Sequence, residues 1–282
     1  MNIGNLEVRN TKGLKSPNTR ICAMVFCPAK FGKTLFASGL DELTRKYRGK
    51  PTLVIACESA EGGGTMTVAE KGLAYIMPQT WADMEQVLAQ LATDEIYGGV
   101  IVDNATDYVN RIVKPHALSF PSKERVLGAR IDGVPVRSDY QVMGENARNH
   151  FNRLVNLTSD KNPERFRKDL IVTALEREKS DEAGTLQYIS PDLPGALQQV
   201  APSIFNTVCS ITIRQKILTL PDKTTKRIPQ RFLYLAEDGK RISGDRTKMF
   251  QHDYPLSNDD GTPRNAVLEM YEQWIQQFKE PS

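Results

Sequence analysis

Residues 27–34, Cys-Pro-Ala-Lys-Phe-Gly-Lys-Thr, join an apolar run, residues 21–26, to a helix-like segment, residues 35–47. This order of strand, loop and helix, with Gly-Lys-Thr at the end of the loop, is typical of a phosphate-binding loop. The usual pattern begins with a glycine, whereas this stretch begins with Cys27. We therefore expect nucleotide binding on an α/β fold. The alternative is a chance Gly-Lys-Thr at the start of a helix.

Each matched residue of the loop has a physical task in holding a nucleotide. Gly32 allows the backbone to approach phosphates, and the N-terminus of the following helix favours an anion. The ammonium of Lys33 can reach the β- and γ-phosphates, and the hydroxyl of Thr34 can ligate Mg²⁺. ATP and Mg²⁺ are therefore the expected cofactors. The predicted nucleotide-binding residues are Cys27, Pro28, Ala29, Lys30, Phe31, Gly32, Lys33, Thr34 and Leu35.

Length and composition indicate an ordinary globular protein. The chain has 282 residues, of which 40% are hydrophobic and 25% charged, and its formal net charge of +3 permits an anionic partner without requiring one. The four cysteines show no Cys-x-x-Cys spacing, as expected of reduced core thiols. No apolar run approaches the ~20 residues of a membrane span, and the N-terminus lacks the apolar centre of a signal peptide. We expect a cytoplasmic protein with no membrane partner.

Apolar runs that alternate with helix-like segments predict the architecture. Runs at residues 52–57, 100–104 and 169–174 indicate further buried strands. Their spacing implies a mostly parallel sheet with helices on both faces.

The C-terminal third has a different pattern. Residues 208–220 and 231–235 indicate a β-hairpin with a basic tip between them. Apolar residues at helical spacing between 263 and 278 indicate an amphipathic helix. The predicted division of the chain is an N-terminal arm at 1–20, an ATPase core at 21–250 and a C-terminal helical segment at 251–282.

Two of the predicted strands end on carboxylates, Glu58 and Asp103. Because the carboxyl ends of parallel strands meet beside the phosphate-binding loop, we expect both side chains at the nucleotide site. Asp103 fits a Walker-B residue that holds Mg²⁺ through water near Thr34, and Glu58 fits the group that orients the attacking water. The alternatives are an Asp103 that only caps a turn and a Glu58 on a surface loop, with Glu61 as a rival for the water.

Two polar loops are predicted at the same edge of the sheet, at residues 111–140 and 176–195. If nucleic acid binds, the cations of the first loop would contact phosphates, and Phe120, Tyr140 or Tyr188 could stack on bases. The alternative is a solvated surface with the usual lysines and arginines. The predicted DNA-binding residues are Lys114, Lys123, Arg125, Arg130 and Arg137.

A compact polar cluster at residues 244–248 lies between the predicted hairpin and the last helix. Arg246 or Lys248 could reach the γ-phosphate on a neighbouring subunit as a trans-acting finger, which would make hydrolysis depend on assembly. The alternative is a local ion pair between Asp245 and Arg246.

Seven segments carry a resemblance to a known family: CPAKFGKT, LVIACESAEGG, VIVDNATDY, SDYQVMGENARNHFNRLV, DLIVTALERE, YISPDLPGALQQVAPSIFNTV and GDRTKMF. In this order they resemble the phage-type ATP-binding proteins with a RecA core, several of which act as single-strand annealing recombinases. The resemblance covers residues 18–250, and its most specific parts are the loop at 27–34 and the Pro-Asp-Leu-Pro-Gly run at 191–195. It implies a RecA-like P-loop core with a mostly parallel sheet, and a place in the cytoplasm of a bacterial host cell.

The resemblance also implies roles for single residues. The family places a catalytic glutamate after the second core strand and a Walker-B aspartate after the third, and it offers basic residues across the subunit interface. Matched residue by residue, the predicted catalytic residues are Glu58, Lys33, Arg246 and Lys248, and the predicted metal ligands are Thr34 and Asp103. The chain departs from the family pattern at Cys27, and again at Ala174 and Leu175, where RecA has a polar glutamine.

The expected function is that of an ATP-dependent single-stranded DNA-binding recombinase or annealing protein. ATP and Mg²⁺ at a subunit interface of a homo-oligomer, either a ring or a filament, would order the two loops that hold DNA. The expected ATP hydrolysis is slow or stimulated by DNA, and a single-strand DNA-binding protein is a candidate partner. A different class remains open, namely an ATP-gated protein-interaction or regulatory module that does not bind DNA. A small-molecule kinase would need an acceptor pocket, which the sequence does not locate.

Overall fold

A computed structural model describes residues 2–3, 6–7, 18–58, 64–120, 135–195, 197–219, 224–235 and 241–278. The predictions for Glu61, Lys123, Arg125 and Arg130 lie outside these residues, as do those for most of the N-terminal arm.

Strands and helices alternate along the first two thirds of the chain. The strands are β1 (Asn2–Ile3), β2 (Leu6–Glu7), β3 (Cys22–Cys27), β4 (Thr52–Ala56), β5 (Ala74–Ile76), β6 (Gly99–Asp103), β7 (Asp169–Ser180), β8 (Leu186–Pro191), β9 (Thr207–Thr219), β10 (Thr225–Tyr234), β11 (Gly244–Asp245) and β12 (Tyr254–Pro255). The helices are α1 (Lys33–Arg48), α2 (Trp81–Leu91), α3 (Ala105–Tyr108), α4 (Lys114–Ser119), α5 (Arg137–Asn156), α6 (Leu197–Ile204) and α7 (Ala266–Ile275). A π-helical turn (Val109–Val113) joins α3 to α4, and 3₁₀ turns cover Gly64–Lys71, Glu164–Phe166 and Gln276–Phe278.

One mixed sheet dominates the described part of the chain. Its main spatial order is β12-β10-β9-β3-β7-β6-β4-β5, with β11 paired to β9 and β8 paired to β7. Neighbours from β9 through to β5 run parallel, whereas β8, β10, β11 and β12 pair in antiparallel fashion. Strands β1 and β2 form a separate antiparallel pair. The predicted α/β fold, a mostly parallel sheet flanked by helices, is confirmed.

Parallel pairing brings the functional segments to one edge of the sheet. The last residue of β3, Cys27, pairs with Leu175 of β7, and Ala56 of β4 pairs with Asp103 of β6. Because these strands run in the same direction, the residues that follow them meet at their shared carboxyl edge. The phosphate-binding loop, Glu58 and Asp103 therefore converge there, as the sequence predicts.

The central parallel strands β3, β4 and β6 and the first half of β7 are buried on both faces, which explains their continuous apolar runs. On one face, alternate side chains such as Met24 and Val172 pack under α2, α3 and α5. On the other face, Val25 and Ile171 pack under α1 and α7. The predicted C-terminal amphipathic helix is therefore confirmed as α7. None of the helices in the described ranges is both long and apolar enough to cross a bilayer.

The prediction of a polar loop at 111–140 is wrong for the residues that the structure describes there, 111–120 and 135–140. Its start continues as a π-helical turn into α4, and its end is the first turn of α5, so Lys114 and Arg137 lie on helices. Ile112, Val113 and Ala117 are buried, and this apolar spacing outweighs the local charge. Pro115 lies in the first turn of α4, where the missing N–H costs little.

The second predicted loop, 176–195, is also wrong, because β7 and β8 form a β-hairpin there. The Asp181 carboxylate accepts hydrogen bonds from Ala183 N at 3.0 Å and Thr185 N at 2.8 Å, and Gly184 adopts φ 80°. This local turn chemistry extends β7 beyond its apolar part.

The predicted C-terminal hairpin is formed by β9 and β10, but its second strand begins at Thr225 rather than Arg231. Pro229 lies inside this strand and pairs with Gln215 of β9. On its other side β10 pairs with β12 only at Phe232 and Leu233, so Pro229 occupies an edge position that tolerates proline.

Candidate nucleotide site

The phosphate-binding loop connects β3 directly to α1. Gly32 caps the helix with φ 94° and ψ 22°, a left-handed conformation that favours glycine. The helix begins at once, since Phe36 N donates to Gly32 O at 2.9 Å. The first backbone N–H groups of α1 have no acceptor within the helix and can therefore bind an anion at this end.

Cys27, which replaces the first glycine of the motif, is fully buried at the end of β3. Burial raises the pKa of its thiol to about 12, and the nearby Lys33 acts in the opposite direction. The thiol is therefore neutral near pH 7 and serves as a packing residue. Neither Cys27 nor Pro28 nor Phe31 lines the cavity beside the loop, and Phe31 packs against the core under α1.

Thr34 and Asp103 meet beside this loop. Thr34 Oγ1 donates to Asp103 Oδ2 at 2.7 Å, and Thr173 Oγ1 of the adjacent strand β7 donates to Asp103 Oδ1. Burial raises the pKa of Asp103, while the two hydroxyls and Lys33 oppose that rise. Asp103 thus has hydroxyl partners but no guanidinium or ammonium bonded to it among the described residues.

These groups fit a magnesium ion that arrives with a nucleotide. The described residues contain no cluster of three or more His, Cys, Asp or Glu side chains suited to a metal. Mg²⁺ commonly needs only one or two protein ligands, because phosphates and water complete its shell. Thr34 and Asp103 would hold it, and the ion would neutralise charge on the phosphates.

Glu58 follows β4 and is held by two donors. Its Oε2 accepts from Gly64 N, and its Oε1 accepts from Asn104 Nδ2 at 2.8 Å. The same Asn104 amide donates to Asp107 Oδ2 at 2.7 Å. Sequence reasoning missed Asn104, although its place directly after Asp103 at the end of a strand was a usable signal.

A cavity of about 530 Å³ lies beside the loop, within the range of small-molecule sites. Lys33 is 7% exposed and has no acceptor among the described residues, so its charge is available to a phosphate. The cavity is lined by Ala29, Lys30, Gly32, Lys33, Thr34, Leu35, Glu58, Gly64, Thr67, Asn104, Asp107, Leu175 and Arg231.

Arg231 is a second residue that the sequence did not reveal as part of the site. It belongs to β10, and it reaches the cavity only because β10 pairs with β9 beside β3. No motif in the sequence marks it.

Arg246 and Lys248 lie away from the cavity of their own chain. Arg246 is exposed and donates from Nη2 to Ser203 O at 3.2 Å, in a separate groove beside Phe205. The Asp245 carboxylate accepts from Thr207, Thr247 and Phe250, and it forms no ion pair with Arg246 among the described contacts. The trans-acting finger therefore stays a prediction.

The remaining predicted DNA residues flank residues 121–134. Lys114 on α4 is half-buried, and Arg137 at the start of α5 is exposed. Phe120 and Tyr140, which flank the same segment, are 48% and 45% exposed.

Residues 19–247 match a family model described as an AAA domain, AAA_24. The chain belongs to this AAA domain family. It is thus an AAA-type P-loop ATPase domain, and the match covers the loop, Glu58 and Asp103. Among solved structures, it is similar to the flagellar accessory protein FlaH from Methanocaldococcus jannaschii, with 10% identity, a TM-score of 0.38 and 78% of each chain covered. No curated protein matches the sequence.

Proposed function

We propose that this AAA domain protein binds and hydrolyses ATP with Mg²⁺, and that the bound nucleotide controls its affinity for single-stranded DNA. The observation that carries this proposal is the course of β7. Thr173 contacts Asp103 and Leu175 lines the cavity, and the same strand then leaves the site to form the hairpin with β8. A single strand therefore contacts the nucleotide site and also forms part of an exposed surface.

In this proposal the chain's own residues perform the hydrolytic step. Lys33 binds the β- and γ-phosphates, and Thr34 with Asp103 holds the magnesium ion. Glu58 orients a water in line with the γ-phosphate and accepts its proton. Asn104 and Gly64 position the Glu58 carboxylate through the hydrogen bonds described above.

Hydrogen bonds connect the cavity wall to the β7–β8 hairpin. Leu175 N donates to Thr106 Oγ1 at 3.0 Å, and Thr106 Oγ1 donates to Asp192 O at 2.9 Å. Asp192 N returns a bond to Leu175 O at 2.7 Å. A shift of Leu175 on nucleotide binding would therefore move the base of the hairpin.

Cations and aromatic rings occur together on the proposed DNA surface. On the hairpin, Lys179 Nζ lies 5.3 Å from the centre of the Tyr188 ring. Single-stranded nucleic acid binds through stacking on such rings and through phosphate contacts with cations. Exposed Phe120 and Tyr140 offer further stacking surfaces, and the predicted contacts of Lys114, Lys123, Arg125, Arg130 and Arg137 would supply charge.

We extend the proposal to annealing or recombination by a homo-oligomer, a ring or a filament, in which Arg246 and Lys248 reach the neighbour's nucleotide. A protein that binds the phosphate backbone of single-stranded DNA and stacks only some of the DNA bases leaves the other bases available for pairing with a second strand.

The test is single-stranded DNA affinity across salt concentrations, with ATP, with ADP and without nucleotide. We expect the affinity to change with the nucleotide, and the salt slope to fall by about 0.7 for each cation–phosphate interaction that a substitution removes. Lys179→Ala should lower the slope, whereas Lys161→Ala, which changes an exposed lysine in the turn before β7 at the opposite edge of the sheet, should leave it unchanged. An affinity that is the same in all three nucleotide states would overturn the gating.

A protein-interaction module is the second candidate, since Ile213 and Ile217 on β9 are 38% and 60% exposed. Such apolar side chains on a projecting strand suit a protein partner. ATP turnover without any DNA affinity would favour this candidate.

A further inference from the structure

We infer that Arg231 binds the nucleotide within its own chain, at the phosphates that ATP and ADP share. The inference rests on the proposed ATP binding and adds a contact that no residue of the P-loop motif supplies. It differs from the trans-acting role proposed for Arg246 and Lys248, which concerns the γ-phosphate of a neighbour.

The fold directs Arg231 toward the P-loop. In β10, Leu233 is fully buried in the core under α1, and Arg231, two residues earlier, faces the same side. Leu256 N donates to Arg231 O at 2.9 Å, which fixes the backbone at this point. A methyl group built on Gly32 would lie 3.4 Å from both Cδ and Nε of Arg231. The side chain therefore lies directly against the loop.

The charge of Arg231 is not neutralised by the described part of the protein. Other arginines nearby are paired: Arg214 with Asp253 at 2.7 Å, and Arg264 with Glu269. Among the described residues, the Arg231 guanidinium has no carboxylate or carbonyl partner. It shares the cavity with two further cations, Lys30 and Lys33. An arginine with five donors beside two lysines suits a polyanionic ligand.

The position of Arg231 indicates which part of the nucleotide it contacts. Glu58, Asn104 and Asp107 lie at the Asp103 end of the cavity, where the γ-phosphate and metal belong. Arg231 lies at Gly32, and it also lines a smaller pocket with Leu35, on the first turn of α1. We therefore place its contact at the α- and β-phosphates rather than at the γ-phosphate.

The experiment compares Arg231→Ala and Arg231→Lys with wild type, with Lys33→Ala, and with Arg227→Ala. Arg227 is an exposed arginine of the same strand and the same face, farther from the loop. Binding of ATP and of ADP is measured by calorimetry, turnover gives kcat and KM, and thermal unfolding monitors folding.

We expect Arg231→Ala to weaken ATP and ADP binding by the same factor, roughly 10- to 100-fold, as for the removal of a charged hydrogen bond. KM should rise in parallel, with kcat little changed, because the contact is equal in ground and transition states. Arg231→Lys should recover part of the affinity, and Arg227→Ala should bind like wild type. If Arg231→Ala folds poorly, Arg231→Lys still allows the losses of ATP and ADP affinity to be compared. Without the guanidinium fork, both nucleotides should bind more weakly than to wild type, and by the same factor.

The outcomes separate this inference from the proposed function. Unchanged nucleotide binding in Arg231→Ala and Arg231→Lys, while Lys33→Ala loses binding, would overturn the inference alone. A loss of kcat with unchanged ADP affinity would also overturn it, since it would place Arg231 at the γ-phosphate. Wild-type protein that binds no nucleotide would overturn both.

Discussion

Two buried aspartates lie at opposite ends of the sheet, and their partners differ. Asp169, at the amino end of β7, accepts from Arg48 Nε at 3.0 Å and Ile21 N at 2.7 Å, and Arg20 Nη1 lies 3.5 Å away. The carboxylate of Asp103, at the carboxyl end of β6, accepts from the hydroxyls of two threonines. Burial raises the pKa of both carboxyls, but a guanidinium opposes it at Asp169 whereas mainly hydroxyls oppose it at Asp103.

The difference separates a carboxylate that is neutralised within the fold from one that the proposed magnesium site would use. At Asp169 the protein supplies the compensating cation, so the charge is satisfied within the fold. At Asp103 the bonded partners are neutral, so a cation from solution can complete the site. The following predictions test that distinction.

The largest effect should come from Asp169→Asn. This change leaves Arg48 buried without its anion, while Arg20 keeps Glu164, so we expect a loss of about 3–5 kcal/mol in the free energy of unfolding. Urea unfolding measures it. Asp103→Asn is the matched variant, and it should unfold within about 1 kcal/mol of wild type while losing ATP turnover, because the amide keeps hydrogen-bond partners. If Asp169→Asn and Asp103→Asn lowered the free energy of unfolding equally, the proposed difference between the two aspartates would be wrong.

Gly64→Ala should displace the Asp103 side chain by steric collision alone. A methyl group there would collide with Thr34 Oγ1 and lie 3.1 Å from Asp103 Oδ2, so the two side chains would have to separate. We expect turnover to fall by up to ~100-fold, as for a misplaced catalytic group. Gly144→Ala on α5 is the control, since nothing lies within 4 Å of the added methyl group, and it should gain about 0.5–1 kcal/mol in stability. Normal turnover in Gly64→Ala would mean that this contact is not maintained in the working enzyme.

Asn104→Ala should affect the site less. Glu58 would keep its bond from Gly64 N but lose the donor on Oε1, so we expect kcat to fall about tenfold, the cost of one charged hydrogen bond. A kcat equal to that of wild type would indicate that Asn104 only caps α3.

The smallest effect concerns pH and lies away from both aspartates. The Trp81 ring stacks between His116 and His150, with ring centres 4.3 Å and 3.9 Å away. Burial lowers the pKa of both histidines from 6.5, and contacts with Glu85 only partly offset this for His150. Tyr108 and Glu85 bond the two nitrogens of the His150 ring.

Below pH 6.5 the unfolded chain takes up protons at these histidines before the folded one does. Stability should therefore be constant above pH 6.5 and fall as the pH drops below it, by at most about 1.4 kcal/mol per pH unit for each histidine. Unfolding measured between pH 5 and 8 tests this, and His150→Gln should reduce the slope to the contribution of His116 alone. A curve that is flat in wild type would contradict it.

The phosphate-binding loop was predictable because its signal is local. Glycine, lysine and threonine stand together between a strand and a helix, and the apolar runs place Glu58 and Asp103 after strands. The local charge pattern predicts loops at 111–140 and 176–195, and this prediction is wrong. Burial of Ile112 and Ala117 favours a helix at the described start of the first segment. The turn at Asp181 makes the second segment a β-hairpin.

By itself the sequence determined the position of the P-loop, the carboxylates that follow the parallel strands and the amphipathic C-terminal helix. These depend on side chains a few residues apart, whose periodicity is set by the backbone geometry of a helix or a strand. Only the tertiary structure decided that Asn104 holds Glu58 and that Arg231 lies against Gly32. Those contacts arise from strand pairing and packing between segments distant in sequence, which no local pattern encodes.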